Sequence, residues 1–297
     1  MVDMDFTRPQ PEGAGASAPF KAAQSRFYDR SAAQQVFERS GRQERFDAGT
    51  VLFAEDDKTS RGGLFKNASR MYFLAQGEVA LTMAGKPLDI VKGGEILGEM
   101  AVISGQPRSA TATARTAVQA FSVDASELQS IIGAKPEFGL MLASVMYDRL
   151  RFVAARMASR PSAAGSAPRQ ATALEPALIA QLESLLPQSA TVRYRQETLI
   201  MKEGQAGTFM YVVKSGRVGI AVGSNLVEVV GPGGTFGEMA VIDQSPRTAR
   251  AGAIEETELL AIDRASLLAA VKAQPAIAMA LLRAIADRLR HMNERLR

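Results

Sequence analysis

At 297 residues the chain has room for two ordinary domains, and a composition 46% apolar and 22% charged is that of a folded globular protein. Cysteine is absent and histidine occurs once, at His291, which excludes a disulfide framework, a thiol nucleophile and a Cys/His zinc cluster. The net charge of +4 is too small to mark a nucleic-acid binder by itself, and no apolar run approaches the roughly 20 residues of a membrane helix.

In chain order, residues 1–19 are rich in Pro, Gly, Ala and Ser with no hydrophobic period and read as a disordered tail. Acids stand there where a signal peptide carries bases, so the expected location is cytoplasmic. Residues 20–44 turn helix-friendly, with Phe27, Val36 and Phe37 as buried anchors of an N-terminal helix. A first domain is expected over 45–157, a Pro/Ser/Ala/Gly linker over 158–175 and a second domain over 176–297.

The two domains are copies. Tyr72 and Tyr211, Gly77 and Gly216, Val91 and Val230, Gly98 and Gly237, and Arg108 and Arg247 all stand 139 residues apart. Upstream, GTVLFAED (Gly49 to Asp56) and ETLIMKEG (Glu197 to Gly204) stand 148 apart, so the first copy holds nine extra residues. They fall in the polar, Gly-containing stretch 57–71, which belongs on a surface loop. Its Lys58, Arg61, Lys66 and Arg70, like the basic C-terminal segment, are candidate docking surfaces but more often a solvated face.

Within each copy, short strand-like runs alternate with Gly-containing turns: TVLF, MYFLAQGEVALTM and PLDIV, then TLIM, FMYVVKSGRVGIAV and LVEVV. Many short strands with close turns predict an antiparallel roll or barrel, mainly β with C-terminal helices. Helical sequence follows from about Ala125 to Met157 and from about Arg264 to Arg297. Leu142, Met146, Leu150, Val153 and Met157 recur at heptad-like steps, as do Ala278, Leu282, Ile285, Leu289, Met292 and Leu296. Such stripes outrun a small barrel, so the helices are expected to pair, within one chain as a pseudo-dimer or between two chains. His291 lies among Arg288, Arg290 and Arg295, where a solvated position on a basic helix outweighs a catalytic role.

The densest information is a phrase written twice, GEMAVISGQPRSATA from Gly98 and GEMAVIDQSPRTARA from Gly237. Gly followed by E-M-A-V-I favours a short helical turn whose free N–H groups attract an anion. The Pro then presets a turn that delivers an Arg, whose planar guanidinium meets a phosphate with two parallel bonds. A carboxylate beside a phosphate needs its own reason, and a ligand hydroxyl near the phosphate, such as a ribose 2′-OH, supplies one.

The pattern [F/L]-G-E-M-A-x-I-x(3)-P-R-[S/T]-A resembles the phosphate-binding cassette of cyclic-nucleotide-binding domains, the family of bacterial cAMP receptors, kinase regulatory subunits and gated channels. The resemblance covers roughly residues 40–157 and 176–297. It implies that Glu99 and Glu238 accept the ribose hydroxyl and that Arg108 and Arg247 pair with the cyclic phosphate. Ser109 and Thr248 would add hydroxyls, and backbone groups at Gly98, Met100 and Ala101, and at Gly237, Met239 and Ala240, would complete the cradles. The implied ligand is cAMP or cGMP, with cAMP favoured by frequency in the family, and no other cofactor, metal or catalytic residue is implied.

The family's known outputs narrow the reading. A helix-turn-helix module should follow the terminal helix, yet the sequence ends at Arg297, so no direct DNA contact is expected. A channel would need membrane spans, and a kinase regulator a basic dipeptide in the tail, which holds none. The expectation is a non-enzymatic receptor that changes its terminal-helix packing and acts on a protein partner. The rival is a scaffold in which each Glu/Arg pair is an internal salt bridge, a costly arrangement with no evident structural gain. The copies differ at Leu97 against Phe236 and Thr111 against Arg250, and unequal sites are expected.

Overall fold

The computed structural model describes residues 27–57, 69–158, 169–170, 173–223 and 225–294. The predicted tail, most of the insertion and most of the linker lie outside the described residues.

A helix α1 (Arg30–Ser40) starts at Asp29, whose carboxylate accepts from Ala32 N at 2.9 Å. It is shorter than the helix expected over 20–44: Arg42–Phe46 forms a strand, β1. That strand is an edge strand with mostly polar side chains, so it shows little hydrophobic alternation in the sequence.

The first roll continues with β2 (Val51–Phe53), β3 (Met71–Gln76), β4 (Glu78–Met83), β5 (Lys86–Lys92) and β6 (Ile96–Leu97). A short helix α2 (Glu99–Ser104) precedes β7 (Thr111–Ala114) and β8 (Val118–Val123). The strands form two four-stranded antiparallel sheets, ordered β1-β8-β3-β6 and β2-β7-β4-β5. The period of two in β3 explains its place between two cores. Tyr72 and Leu74 point into the roll with Val79, Val91 and Leu97, while Met71 and Phe73 point out toward the helices.

The second roll repeats this plan. Its strands are β10 (Thr191–Tyr194), β11 (Leu199–Met201), β12 (Phe209–Ser215), β13 (Val218–Val222), β14 (Asn225–Val230) and β15 (Thr235–Phe236). A short helix α6 (Glu238–Ile242) precedes β16 (Arg250–Ala253) and β17 (Thr257–Asp263), and α5 (Pro176–Ser184) leads into the roll. The sheets run β10-β17-β12-β15 and β11-β16-β13-β14-β9, where β9 is Arg169–Gln170. The end of the expected linker thus pairs parallel with β14, Arg169 opposite Glu228, and belongs to the second sheet.

Each expected terminal helix is broken by proline. The first half has α3 (Ala125–Ala134) and α4 (Pro136–Ala158), and the second has α7 (Arg264–Ala273) and α8 (Ala276–Glu294), which follows Pro275. Among the described residues no single helix is long and apolar enough to cross a membrane.

Helices α4 and α8 pack on each other, so the pairing expected from the heptad stripes occurs within one chain. Leu142 and Met146 share one buried core with Leu282, Ile285 and Leu289. A Cβ added at Gly139 would lie 3.1 Å from that of Ala278, which marks how closely the two backbones approach. Each long helix also touches the other half's short helix, α8 against α2 and α4 against α6.

Candidate functional site

Both copies of the repeated phrase fold as the sequence predicts. Gly98 and Gly237 open the short helices with φ of 78° and 76°, a left-handed conformation that favours glycine. No Cβ fits at either: it would lie 2.9 Å from Arg108 Nη1 in the first half and 2.5 Å from Arg247 Nη1 in the second.

The reason is that each arginine folds back over its glycine. Arg108 donates from Nη1 to Gly98 O at 2.8 Å and from Nη2 to Arg70 O at 2.7 Å. Arg247 does the same with Gly237 O at 2.7 Å and Phe209 O at 2.5 Å, and Arg70 and Phe209 are again 139 apart. Each arginine's backbone is pinned by a neighbouring loop: Arg108 exchanges bonds with Asp56 and Asp57, and Arg247 with Gly204 and Gln205. Both side chains are buried, at 5% and 7% exposure, and neither lies within ion-pair distance of a carboxylate among the described residues. Burial lowers the affinity of both guanidinium groups for their proton. Among the described residues, the polar atoms that both guanidinium groups meet are carbonyl oxygens.

The carboxylates have a different partner from the one a Glu/Arg pair within the motif would require. Glu99 is 2% exposed and its Oε1 takes a hydrogen bond from Arg149 Nη1, while Arg149 Nη2 donates to Ile96 O at 2.5 Å. In the second half Arg288 Nη1 donates to Glu238 Oε1 at 2.8 Å and Nη2 to Thr235 O at 2.5 Å. Thr235 Oγ1 adds a hydrogen bond to Glu238 at 2.5 Å. Burial would raise the Glu238 carboxyl, but the Arg288 guanidinium and the Thr235 hydroxyl outweigh it and hold the group below its usual range.

Arg149 and Arg288 escape a motif search because they lie on α4 and α8, far along the chain. The signal was present: Asp-Arg-Leu-Arg stands at 148–151 and again at 287–290, the same 139 apart.

In the first half these groups face an open cleft. Glu99, Arg108, Ser109, Arg149 and Asp89 supply its polar lining, and Phe53, Leu81, Leu88, Met100 and Val153 its apolar wall. The Arg108 guanidinium sits over the Phe53 ring, 4.1 Å from the centroid. Leu289 and Asn293 of α8 complete the cleft, so the second half closes the first half's site. Asn293 is 8% exposed, and its Oδ1 is buried with no hydrogen-bond partner among the described residues.

The remaining expected residues fall as follows. Met100 and Ala101 are buried in α2, and Ala240 is buried in α6, where Met239 packs against the same helical core. Ser109 Oγ lies 3.7 Å from Met100 Sδ and Thr248 Oγ1 3.5 Å from Met239 Sδ, while Arg250 is exposed.

Asp89 of β5 and Glu228 of β14, also 139 apart, differ in company. Glu228 pairs with Arg169 of β9 at 2.5 Å and with Arg288 at 3.3 Å. Asp89 accepts from Ile90 N at 2.6 Å, and burial pushes its carboxyl up to about 7 despite that bond and the Arg149 charge.

The fold and site together define a class: two antiparallel rolls, each with a short helix and a buried arginine folded over the glycine that opens it. The model of the cyclic nucleotide-binding domain matches residues 43–135 and 191–274, more than half the chain, and the chain belongs to that family. A curated relative, the CRP-like cAMP-activated global transcriptional regulator of Mycobacterium tuberculosis, is 34% identical over 128 residues, 41% of this chain and 56% of that protein. The cyclic AMP receptor protein of Thermus thermophilus is 37% identical over 102 residues, 33% of this chain and 47% of its own. The chain thus spans about half the length of the curated relatives it matches. Among solved structures, the regulatory domain of Toxoplasma gondii PKA with cAMP is 17% identical, with 84% of this chain and 90% of that one covered and a TM-score of 0.30.

Proposed function

We propose that each half binds one cyclic nucleotide, through Arg108 and Arg247 to the cyclic phosphate and through Glu99 and Glu238 to the ribose hydroxyl. The observation that carries the reading is the buried guanidinium of Arg108, without a carboxylate partner among the described residues, set in an open cleft opposite Glu99. The phosphate would take the bonds now made to carbonyl oxygens, and a charge-assisted pair is stronger than those it replaces. Glu99 and Glu238 each accept from an arginine guanidinium, Arg149 or Arg288, and a carboxylate keeps further lone pairs that can accept from a ligand hydroxyl. The backbone around Gly98 to Ala101 and Gly237 to Ala240, with Ser109 and Thr248, would complete the two sites.

The favoured ligand is cAMP. Relatives whose names specify cAMP match 41% and 33% of the chain, and an adenine amino group in the cleft would give Asn293 Oδ1 the donor it lacks. The proposed output is regulation of a protein partner in the cytoplasm, without enzymatic activity. Arg149 and Arg288 tie each ribose acceptor to α4 or α8, so a ligand that binds one packing of these helices better than another shifts their equilibrium. Hydrogen exchange in α4 and α8 should slow on saturation with cAMP, and an unchanged pattern would remove the switch.

Calorimetry of nucleotide-free protein with cAMP and with cGMP tests the binding itself. Two sites with cAMP bound more tightly are expected. Tighter cGMP would reverse the base assignment, and no heat with either would leave the double-roll scaffold.

A further inference from the structure

A second arginine of each Asp-Arg-Leu-Arg segment reaches across from one half to the other. Arg290 of α8 donates from Nη2 to Pro107 O at 2.8 Å, the residue directly before Arg108. Arg151 of α4 donates from Nη1 to Asp243 and to Ser245 Oγ, the latter at 3.2 Å, and from Nη2 to Asp148. Asp243 is 4% exposed, and its Oδ1 accepts from Ser245 N at 3.0 Å. Arg151 therefore clamps the turn Asp243-Gln244-Ser245-Pro246 that leads into Arg247.

The two turns need a clamp to different degrees. In the first half the chain leaves the short helix through Gly105 at φ 69°, a conformation glycine adopts freely. At the matching place in the second half stands Gln244 at φ 54°, which a residue with a Cβ adopts only when its surroundings enforce it. Ser104 stands where the second half has Asp243, and it bonds locally, donating to Met100 O at 2.7 Å and accepting from Gln106 N at 3.2 Å. The second turn is strained and tied by an ion pair from the other half. The first is relaxed, and Arg290 reaches it through the Pro107 carbonyl.

We propose that Arg151 and Arg290 are positioning residues that act across the halves: Arg151 holds the turn that aims Arg247, and Arg290 the turn that aims Arg108. The proposal rests on the nucleotide-binding reading for its consequence, since each site would then owe its phosphate geometry to the other half's helix. The clamp itself can be read without ligand.

Amide hydrogen exchange of the nucleotide-free chain is followed at 243–248 and at 104–109, with thermal unfolding as a check on folding. Arg151→Ala should speed exchange at 243–248 about tenfold, the scale of one lost charged hydrogen bond, and leave 104–109 within about twofold. Arg290→Ala should do the reverse, with the smaller effect. Adding Gln244→Gly to Arg151→Ala should restore protection at 243–248, because it removes the strain that the clamp resists. In an Arg108→Ala background, which leaves the second site alone, Arg151→Ala should weaken cAMP about tenfold. In an Arg247→Ala background it should leave the first site within about twofold. Exchange that rises equally in both turns or in neither, or the two sites weakened alike, overturns the proposal. If the parent chain binds neither cAMP nor cGMP the nucleotide reading falls, and the exchange pattern alone then upholds or overturns the clamp.

Discussion

The two halves hold the same three charged anchors at the same spacing, Glu99, Arg108 and Arg149 against Glu238, Arg247 and Arg288, yet they surround them differently. In the first half the acid on the sheet wall, Asp89, accepts one backbone bond and lines an open cleft. In the second, Glu228 is consumed by Arg169 of the strand that joins the halves and by Arg288. Arg108 lies over the face of Phe53, whereas the matching position 148 residues on is Met201, and Arg247 instead lies so near the loop residue Gly207 that a Cβ there would meet its guanidinium. Duplicating a binding motif thus duplicates its anchors, while their neighbours diverge to suit each half's place in the molecule.

The strongest way to break this comparison is to remove the helix arginines. Arg288→Ala leaves two buried acids without their shared partner and Arg149→Ala leaves one, so both should destabilise, by about 3–5 kcal/mol for a broken buried pair. Arg288→Ala should cost more in denaturant unfolding; equal costs would mean that Glu228 is satisfied by Arg169 alone.

Next come the phosphate arginines. Arg108→Ala and Arg247→Ala should each abolish one site, a loss on the order of 2–5 kcal/mol in binding, and calorimetric stoichiometry should fall from two to one in either variant. Gly98→Ala and Gly237→Ala should reproduce this loss, because the added Cβ displaces the same guanidinium. Retention of both sites in any of the four would refute the assignment of that residue.

A smaller effect separates the walls. Phe53→Leu keeps apolar volume under Arg108 but removes the ring, and should weaken the first site by about 1 kcal/mol while the second is unchanged. A loss at both sites would point to damage outside the first cleft.

The least effect is one of pH. Asp89 has its carboxyl raised to about 7, so it gains charge as pH passes from 6 to 8 beside an anionic ligand. Affinity at the first site should then fall by roughly two- to threefold over that range, and Asp89→Asn should flatten it. The charged groups acting on Asp89 are Arg149, raised above the ordinary arginine value and so charged throughout, and Glu95, whose carboxyl is also raised by burial. The sign for stability is the same, since an acid raised on folding destabilises the native state once ionised; Asp89→Asn should therefore stabilise more at pH 8 than at pH 4. A profile at the second site that matched the first would remove Asp89 as the cause.

The duplication, the antiparallel rolls, the short helices after Gly98 and Gly237, and the two Glu/Arg pairs of the motif were legible in the amino-acid order alone. These rest on local rules: alternation of apolar residues, glycine and proline at turns, and a repeat that can be counted. It also predicted helix pairing from the stripes on α4 and α8, but left open whether one chain or two supplied the partners. It took packing to show α4 and α8 as partners within one chain, and the glutamates bound by Arg149 and Arg288 rather than by the arginines nine residues away. Only it joined Asn293 and Leu289 to the first cleft, Arg169 to Glu228, and Arg151 to the turn before Arg247. The physical reason is common to all of these. Each is a contact between charges or polar groups far apart in the chain, and the burial that makes such a contact matter exists only once the helices and sheets have packed.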